Sequence, residues 1–221
     1  MYALEVIEQE LHEDINRFGR VSHVKKGDTL MRPEECLEHF FVLLEGRVKV
    51  SQINFETGKE QILYLLSKGD MYDVVSLLDG KEHENVAMAL DDVKLLVFPI
   101  ELFREWVATK PSFNKLFLPY VGKQLRSMEN LASDLSLYDT TTRLVKLIAR
   151  NIEQEDGKQT LKLINNLSHE ELANLIGTVR KVLNRSIQAL KKEGLIDNVR
   201  YIGMQAVGFD LTYDGLHHFD E

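Results

Sequence analysis

LSHEELANLIGTVRKVLNRSIQALKKEGLI, residues 167–196, is the stretch whose reading decides the fold of this 221-residue chain. Ser168-His169-Glu170-Glu171 is a capping box, in which the serine oxygen accepts the amide of Glu171 and the Glu171 carboxylate reaches back. Leu172, Leu175 and Ile176 share one apolar face of a short first helix. Gly177 ends that helix, because glycine takes positive φ without steric cost. A second helix follows with Val182, Leu183, Ile187 and Leu190 directed inward. Ala173, Gly177 and Leu183 supply the small, turn and apolar positions that let two helices cross closely. Gly194 stops the second helix, and Leu195-Ile196 is expected to open a β-wing. The pattern predicts a helix-turn-helix with Thr178, Val179, Arg180, Lys181, Asn184 and Arg185 facing out near the start of its second helix. In such a motif the N-terminal half of that helix enters the major groove, where arginine bonds guanine O6 and N7 bidentately and lysine bonds them too. A purely structural helical hairpin would share the packing positions. It would not need the capping box, the turn glycine and the cationic face together.

Charge distribution agrees. The chain carries a net charge of −8, of which residues 138–221 hold only −1 and the first 137 residues −7. Within 178–192 stand five cations (Arg180, Lys181, Arg185, Lys191 and Lys192) and no acid. A local positive patch in an acidic chain points to a polyanionic partner, although on charge alone it also fits a solvated helix face. Lys191 and Lys192 lie farther along, where they meet phosphate or only water.

Upstream, residues 20–99 read as short strands separated by turns at Gly27, Gly46, Gly58, Gly69 and Gly80. The runs are RVSHVKKGDTL, HFFVLLEGRVKV, KEQILYLLSKGD and VKLLVF, with Val48 and Val50 alternating against Lys49 and Ser51. Strands at this spacing predict an antiparallel jelly roll, ended by Pro99. IELFREWVATK is helical in pattern and stops before Pro111. From 112 to 137, Leu118, Val121, Leu125, Met128, Ala132 and Leu135 recur at 3-4-3-4-3 spacing, the a/d pattern of a coiled coil, which predicts a dimer interface. Pro119 is expected either to kink this helix or to mark its true start. Tyr138-Asp139-Thr140 reads as a hinge, with Asp139 as N-cap of TTRLVKLIARNIEQ, in which Leu144, Leu147 and Ile148 share a face. EQEDGKQ reads as a charged loop. The fold class is therefore α+β: a sensor β-roll over 1–111, a dimerisation helix over 112–137 and a winged helix-turn-helix over 138–221.

With these motifs in place, the chain resembles the CRP/FNR family of bacterial transcription regulators over about residues 18–215. The β-roll motifs that carry the likeness are Lys26-Gly27-Asp28, Leu44-Glu45-Gly46-Arg47-Val48 and Lys68-Gly69-Asp70. In the second helix the family pattern Arg-Glu-x-x-x-Arg reads Arg180-Lys181-Val182-Leu183-Asn184-Arg185. Both arginines match. The central acid, which in the family accepts from a cytosine amine, is replaced by Lys181, which has no acceptor. The resemblance implies a homodimer on double-stranded DNA with a palindromic operator other than the usual family half-site, and RNA polymerase as a further partner. Ser168 joins the expected DNA-side residues.

The resemblance also frames the effector. Cyclic-AMP-binding relatives hold the ribose with a Gly-Glu pair and the cyclic phosphate with Arg-Ser or Arg-Thr. The matching positions here are Asp73-Val74 and Glu84-Asn85. Valine bonds no hydroxyl, and Glu84 repels a phosphate; like charges ~4 Å apart in a partly buried site cost several kcal/mol at an effective dielectric of about 20. Cyclic AMP is thus disfavoured and the effector is left open. Haem is a candidate only through His23, His39 and His83, since the Cys and His that carbon-monoxide-sensing members place near Asp73 and Val75 are absent. Cys36, the one cysteine, cannot supply the cluster of oxygen-sensing members. The run Val74-Val75-Ser76-Leu77-Leu78 either admits an apolar ligand or fills the core.

The competing classes are a degenerate cyclic-nucleotide-binding-like module that senses haem, gas or another small molecule to control a protein partner, and an enzyme. SHEELAN begins like a zinc-protease motif, but Ala173 stands where the second histidine is required. No nucleophile motif or phosphate loop is visible, so no enzyme is expected. MYALEVIEQE shows neither a basic nor a long apolar leader region, and no run reaches membrane-spanning length, so a cytoplasmic chain without a membrane partner is expected.

Overall fold

The computed structural model describes residues 11, 13–31, 35, 37–82, 84–155 and 158–194. Cys36, His83 and the wing expected from Leu195-Ile196 lie outside the described residues. The chain divides into two compact units, Met1–Asn130 and Leu131–Glu221. The division falls within the long helix, so the last turns of that helix belong to the second unit.

The first unit begins with a helical segment, α1, over 13–18. Seven strands follow: β1 Arg20–Val24, β2 His39–Glu45, β3 Val48–Asn54, β4 Lys59–Leu66, β5 Met71–Tyr72, β6 Val86–Ala89 and β7 Val93–Pro99. They form two antiparallel sheets, ordered β1-β7-β2-β5 and β4-β3-β6. HFFVLLE is apolar almost throughout because β2 is buried on both faces. Successive side chains of a strand point to opposite faces. Phe41 and Leu43 accordingly join Val48, Val50, Leu66, Tyr72, Val93 and Leu95 in one core. Phe40 and Val42 join Phe98, Phe103, Trp106, Phe113 and Phe117 in another. The turn at Gly46 needs glycine twice over. Its φ is +86°, and a Cβ there would stand 2.6 Å from the Asp92 carbonyl oxygen.

Two helices close this unit, α3 (Ile100–Thr109) and the first part of α4 (Pro111–Leu137). Pro99 is both the end of β7 and the residue before α3, as its fixed φ and missing N–H suit. Pro119 lies inside α4, so it does not mark the start of that helix. The apolar run 74–78 forms a six-residue helix, α2 (Val74–Asp79). Its Val74 and Leu77 pack into the aromatic cluster, while Val75 and Leu78 are exposed.

The second unit contains α5 (Thr140–Asn151), β8 (Ile152–Glu155), β9 (Lys158–Leu161), α6 (His169–Leu175) and α7 (Arg180–Lys192). Here two expectations are corrected. Ile152-Glu153-Gln154 is strand and not the end of a helix, and the stretch expected as a charged loop supplies both arms of the antiparallel β8–β9 pair. Asp156-Gly157 between two short runs is a hairpin signal that the charge obscured.

Candidate nucleic-acid interface and effector region

The helix-turn-helix is set by local bonds. The Glu171 amide donates to Ser168 Oγ at 3.1 Å, and the Ser168 amide donates to the Glu171 carboxylate at 2.6 Å. Gly177 has φ +66°, and the Thr178 amide donates to the Ala173 carbonyl at 2.9 Å across the turn. Leu172, Ala173, Ile176, Leu183, Ile187 and Leu190 are buried, while Leu175 and Val182 are half-buried. The Thr141 hydroxyl donates to Ser186 Oγ at 3.0 Å, joining α5 to the buried side of α7. Ser168→Ala should remove about 1 kcal/mol of stability from this unit, read as a lowered thermal midpoint of helix ellipticity. An unchanged midpoint would mean that the cap adds nothing here.

The outward set is almost as expected. Val179, Arg180, Lys181 and Arg185 are exposed, and Thr178 is half-buried. Asn184 is the exception. It is half-buried and its Oδ1 is enclosed without a hydrogen-bond partner. It sits at the flank of α7, because Leu183, one residue before it, is at the centre of the packed face. No hydrogen bond or ion pair engages Arg180, Lys181 or Arg185 among the described residues. Elsewhere arginines are neutralised within the fold: Arg47 by Asp91 at 2.7 Å, Arg104 by Glu101, and Arg150 by Asp134.

At the hinge, Asp139 caps α5 by accepting from the Thr142 amide at 2.8 Å. That bond is the main cause holding its carboxyl below the ordinary value. Asp134, near the end of α4, is buried and held by Arg150 and by Lys146 at 3.7 Å, both from α5. Lys146 also stands 4.3 Å above the Tyr138 ring.

The effector region departs further from expectation. Asp73 is buried and committed to capping α2, accepting from the Val75 amide at 3.1 Å and from the Ser76 hydroxyl at 2.8 Å. Val74 faces the aromatic cluster. Glu84 lies in the loop before β6 and is exposed, so the like-charge cost reckoned for a partly buried site is weakened by solvent; Asn85 beside it is half-buried. Lys49 is the one buried cation among the described residues, and it is paired with Glu60 at 2.8 Å. The α4 helix grips this region. The Met71 amide donates to the Tyr120 hydroxyl at 2.9 Å, the hydroxyl donates to the Met71 carbonyl at 3.0 Å, and Gln124 Nε2 donates to the same oxygen at 2.7 Å. Burial raises the Tyr120 pKa well above the usual phenol value. His23 is exposed on β1 and His39 is half-buried at the start of β2. No three His, Cys, Asp or Glu side chains converge in a metal-binding arrangement among the described residues. No helix among them is long and apolar enough to cross a membrane.

The cyclic nucleotide-binding domain family matches residues 21–110, and the Crp-like helix-turn-helix domain family matches residues 142–206. The chain belongs to the CRP/FNR family. Among its relatives is the CRP-like cAMP-activated global transcriptional regulator of Mycobacterium tuberculosis, 24% identical over 77% of each chain. Another is the global nitrogen regulator of Synechococcus elongatus, 27% identical over 80% of this chain and 81% of that one. A mutant of CooA from Carboxydothermus hydrogenoformans shares the fold, with a TM-score of 0.74 at 24% identity, covering 90% of this chain and 88% of that one. This CRP/FNR chain is thus a transcription regulator with a cyclic-nucleotide-binding-type β-roll and a DNA-binding helix-turn-helix.

Sequence reasoning missed three residues of this regulator. Tyr120 carries no motif, and only the fold brings its hydroxyl to Met71. Asp134 is one acid among many until its burial is seen. Gln188 is exposed on α7 among the cations, a neutral amide that no charge pattern marks.

Proposed function

We propose that this CRP/FNR regulator binds a two-fold symmetric DNA operator as a homodimer, and that its β-roll answers to an effector other than cyclic AMP. The observation that carries the DNA reading is the set Arg180, Lys181 and Arg185, exposed on one helix end and engaged by no carboxylate among the described residues. Such cations are available for guanine edges and phosphates. The dimer reading is supported by α4. Leu118 and Leu125 are 63% and 61% exposed, Ala132 and Leu135 are exposed with them, and Val121 and Met128 are half-buried alongside. An apolar seam left open on one chain suits the same seam of a second copy.

The M. tuberculosis relative is cAMP-activated by name. What separates this chain from such a sensor is the lack of a cation for the phosphate: Glu84-Asn85 occupies the matching position, and the buried Lys49 is already paired.

The test is selection of bound duplexes from random DNA by the purified protein, with and without cyclic AMP, beside calorimetric titration of the nucleotide. The expected result is one palindrome in both conditions and no heat of nucleotide binding. Micromolar cyclic AMP binding would overturn the effector reading, and an asymmetric single site would overturn the dimeric operator.

A further inference from the structure

Successive residues advance about 100° around an α-helix. The buried set of α7, Leu183, Ser186, Ile187 and Leu190, defines its inward direction. Diametrically opposite lie Lys181, Arg185, Gln188 and Lys192, separated by four, three and four residues. Lys181, Arg185, Gln188 and Lys192 are all exposed, and the side chain of none is engaged by a hydrogen bond or ion pair among the described residues. Arg180 lies to one side of this line and Asn184 at its flank, the latter with its Oδ1 enclosed.

We propose that Lys181, Arg185 and Gln188 form the base-reading line of this regulator, so that its half-site carries guanine opposite Lys181 and Arg185 and adenine opposite Gln188. The proposal rests on the reading of α7 as the helix in the major groove and specifies the DNA it takes. Lysine is a donor only. Guanine offers it two major-groove acceptors, O6 and N7, thymine offers one, and the cytosine amine offers none. Arginine makes the same guanine contact with two parallel bonds. Glutamine both donates and accepts, which matches the N7 and N6 of adenine. A rise of 1.5 Å per residue puts Lys181 and Gln188 ~10 Å apart along the helix axis. At ~3.4 Å per base step, the two bases stand about three base pairs apart, with the Arg185 contact between them. Lys192, one turn farther, meets the backbone phosphate.

The experiment is duplex selection from random DNA with the full-length wild type, Lys181→Glu and Gln188→Ala, followed by affinity measurements on the selected site and its single-base variants. Both substitutions are at exposed positions, and circular dichroism checks that the fold is kept. A carboxylate accepts from the cytosine amine, so Lys181→Glu should change guanine to cytosine at one position per half-site. The corresponding base change should weaken wild-type binding by about tenfold or more and strengthen binding of the variant. Gln188→Ala should keep that guanine and erase the adenine preference about three base pairs away. Identical motifs from all three proteins would overturn the base-reading line while leaving α7 as the DNA-binding helix. Absence of any motif from the wild type would overturn the reading of α7 itself, and the base-reading line with it.

Discussion

We expect the parent to sediment as a dimer and a Leu118→Asp/Leu125→Asp double variant to sediment as a monomer whose affinity for the selected palindrome is lower by about a thousandfold. The two leucines stand seven residues apart on α4, at one heptad position, and more than half of each is open to solvent in the single chain. In a paired helix they meet their equivalents, and two carboxylates facing two others across a dry seam cannot be solvated. The DNA effect follows from linkage. A dimer binds its second half-site at the effective concentration set by the first, which adds about 10²–10⁴ in affinity without new contacts. Because both residues are exposed, the monomer should keep its fold, with far-ultraviolet ellipticity unchanged. Analytical ultracentrifugation decides the matter. A variant that remains dimeric would show that the open seam of α4 is not the subunit interface.

Phe103→Ala should have the largest effect on stability, a loss of about 3–5 kcal/mol from the first unit. Phe103 is fully buried. Its ring centroid lies 4.2 Å from that of Phe40, 4.9 Å from Phe117 and 5.0 Å from Phe113. It therefore touches a strand and the base of α4 at once. Truncation removes contacts from both and leaves a void that relaxes only in part. Trp106, the single tryptophan, sits 6.4 Å from Phe103 in the same cluster, so its fluorescence in urea reports this unit by itself. A loss below about 1 kcal/mol would show that the cluster closes over the void. Since Phe113 and Phe117 are the first buried residues of α4, the variant also loosens the hold of the first unit on that helix.

Most of the architecture was legible in the chain because the signals that carry it are local. A capping box spans four residues, a turn glycine declares itself by needing positive φ, and HFFVLLE announces a strand. The Ser168 cap, the turns at Gly177 and Gly46 and the long helix α4 were read correctly for this reason. The failures have a common cause. Residues 74–78 are apolar but for Ser76, and five residues are too few to separate a helix from a strand by period. The β8–β9 arms are short and charged, so the loop reading prevailed over the Asp156-Gly157 hairpin signal between them.

For the sites the same division holds. The sequence by itself determined which chemistry stands on the second helix of the helix-turn-helix, including Lys181 where the family pattern has an acid. It also grouped the apolar residues of α4 on one face, since periodicity along a helix fixes which residues share a face. The tertiary structure alone decided what each of those side chains is free to do. It turned Gln188 outward and enclosed part of Asn184, although both are amides on one helix, because α5 and α6 cover only one side of α7. It committed Asp73 to a helix cap, exposed Glu84 to water, and set the Tyr120 hydroxyl against Met71, forty-nine residues away. Burial and partnership depend on elements distant in the chain, and no local pattern encodes them.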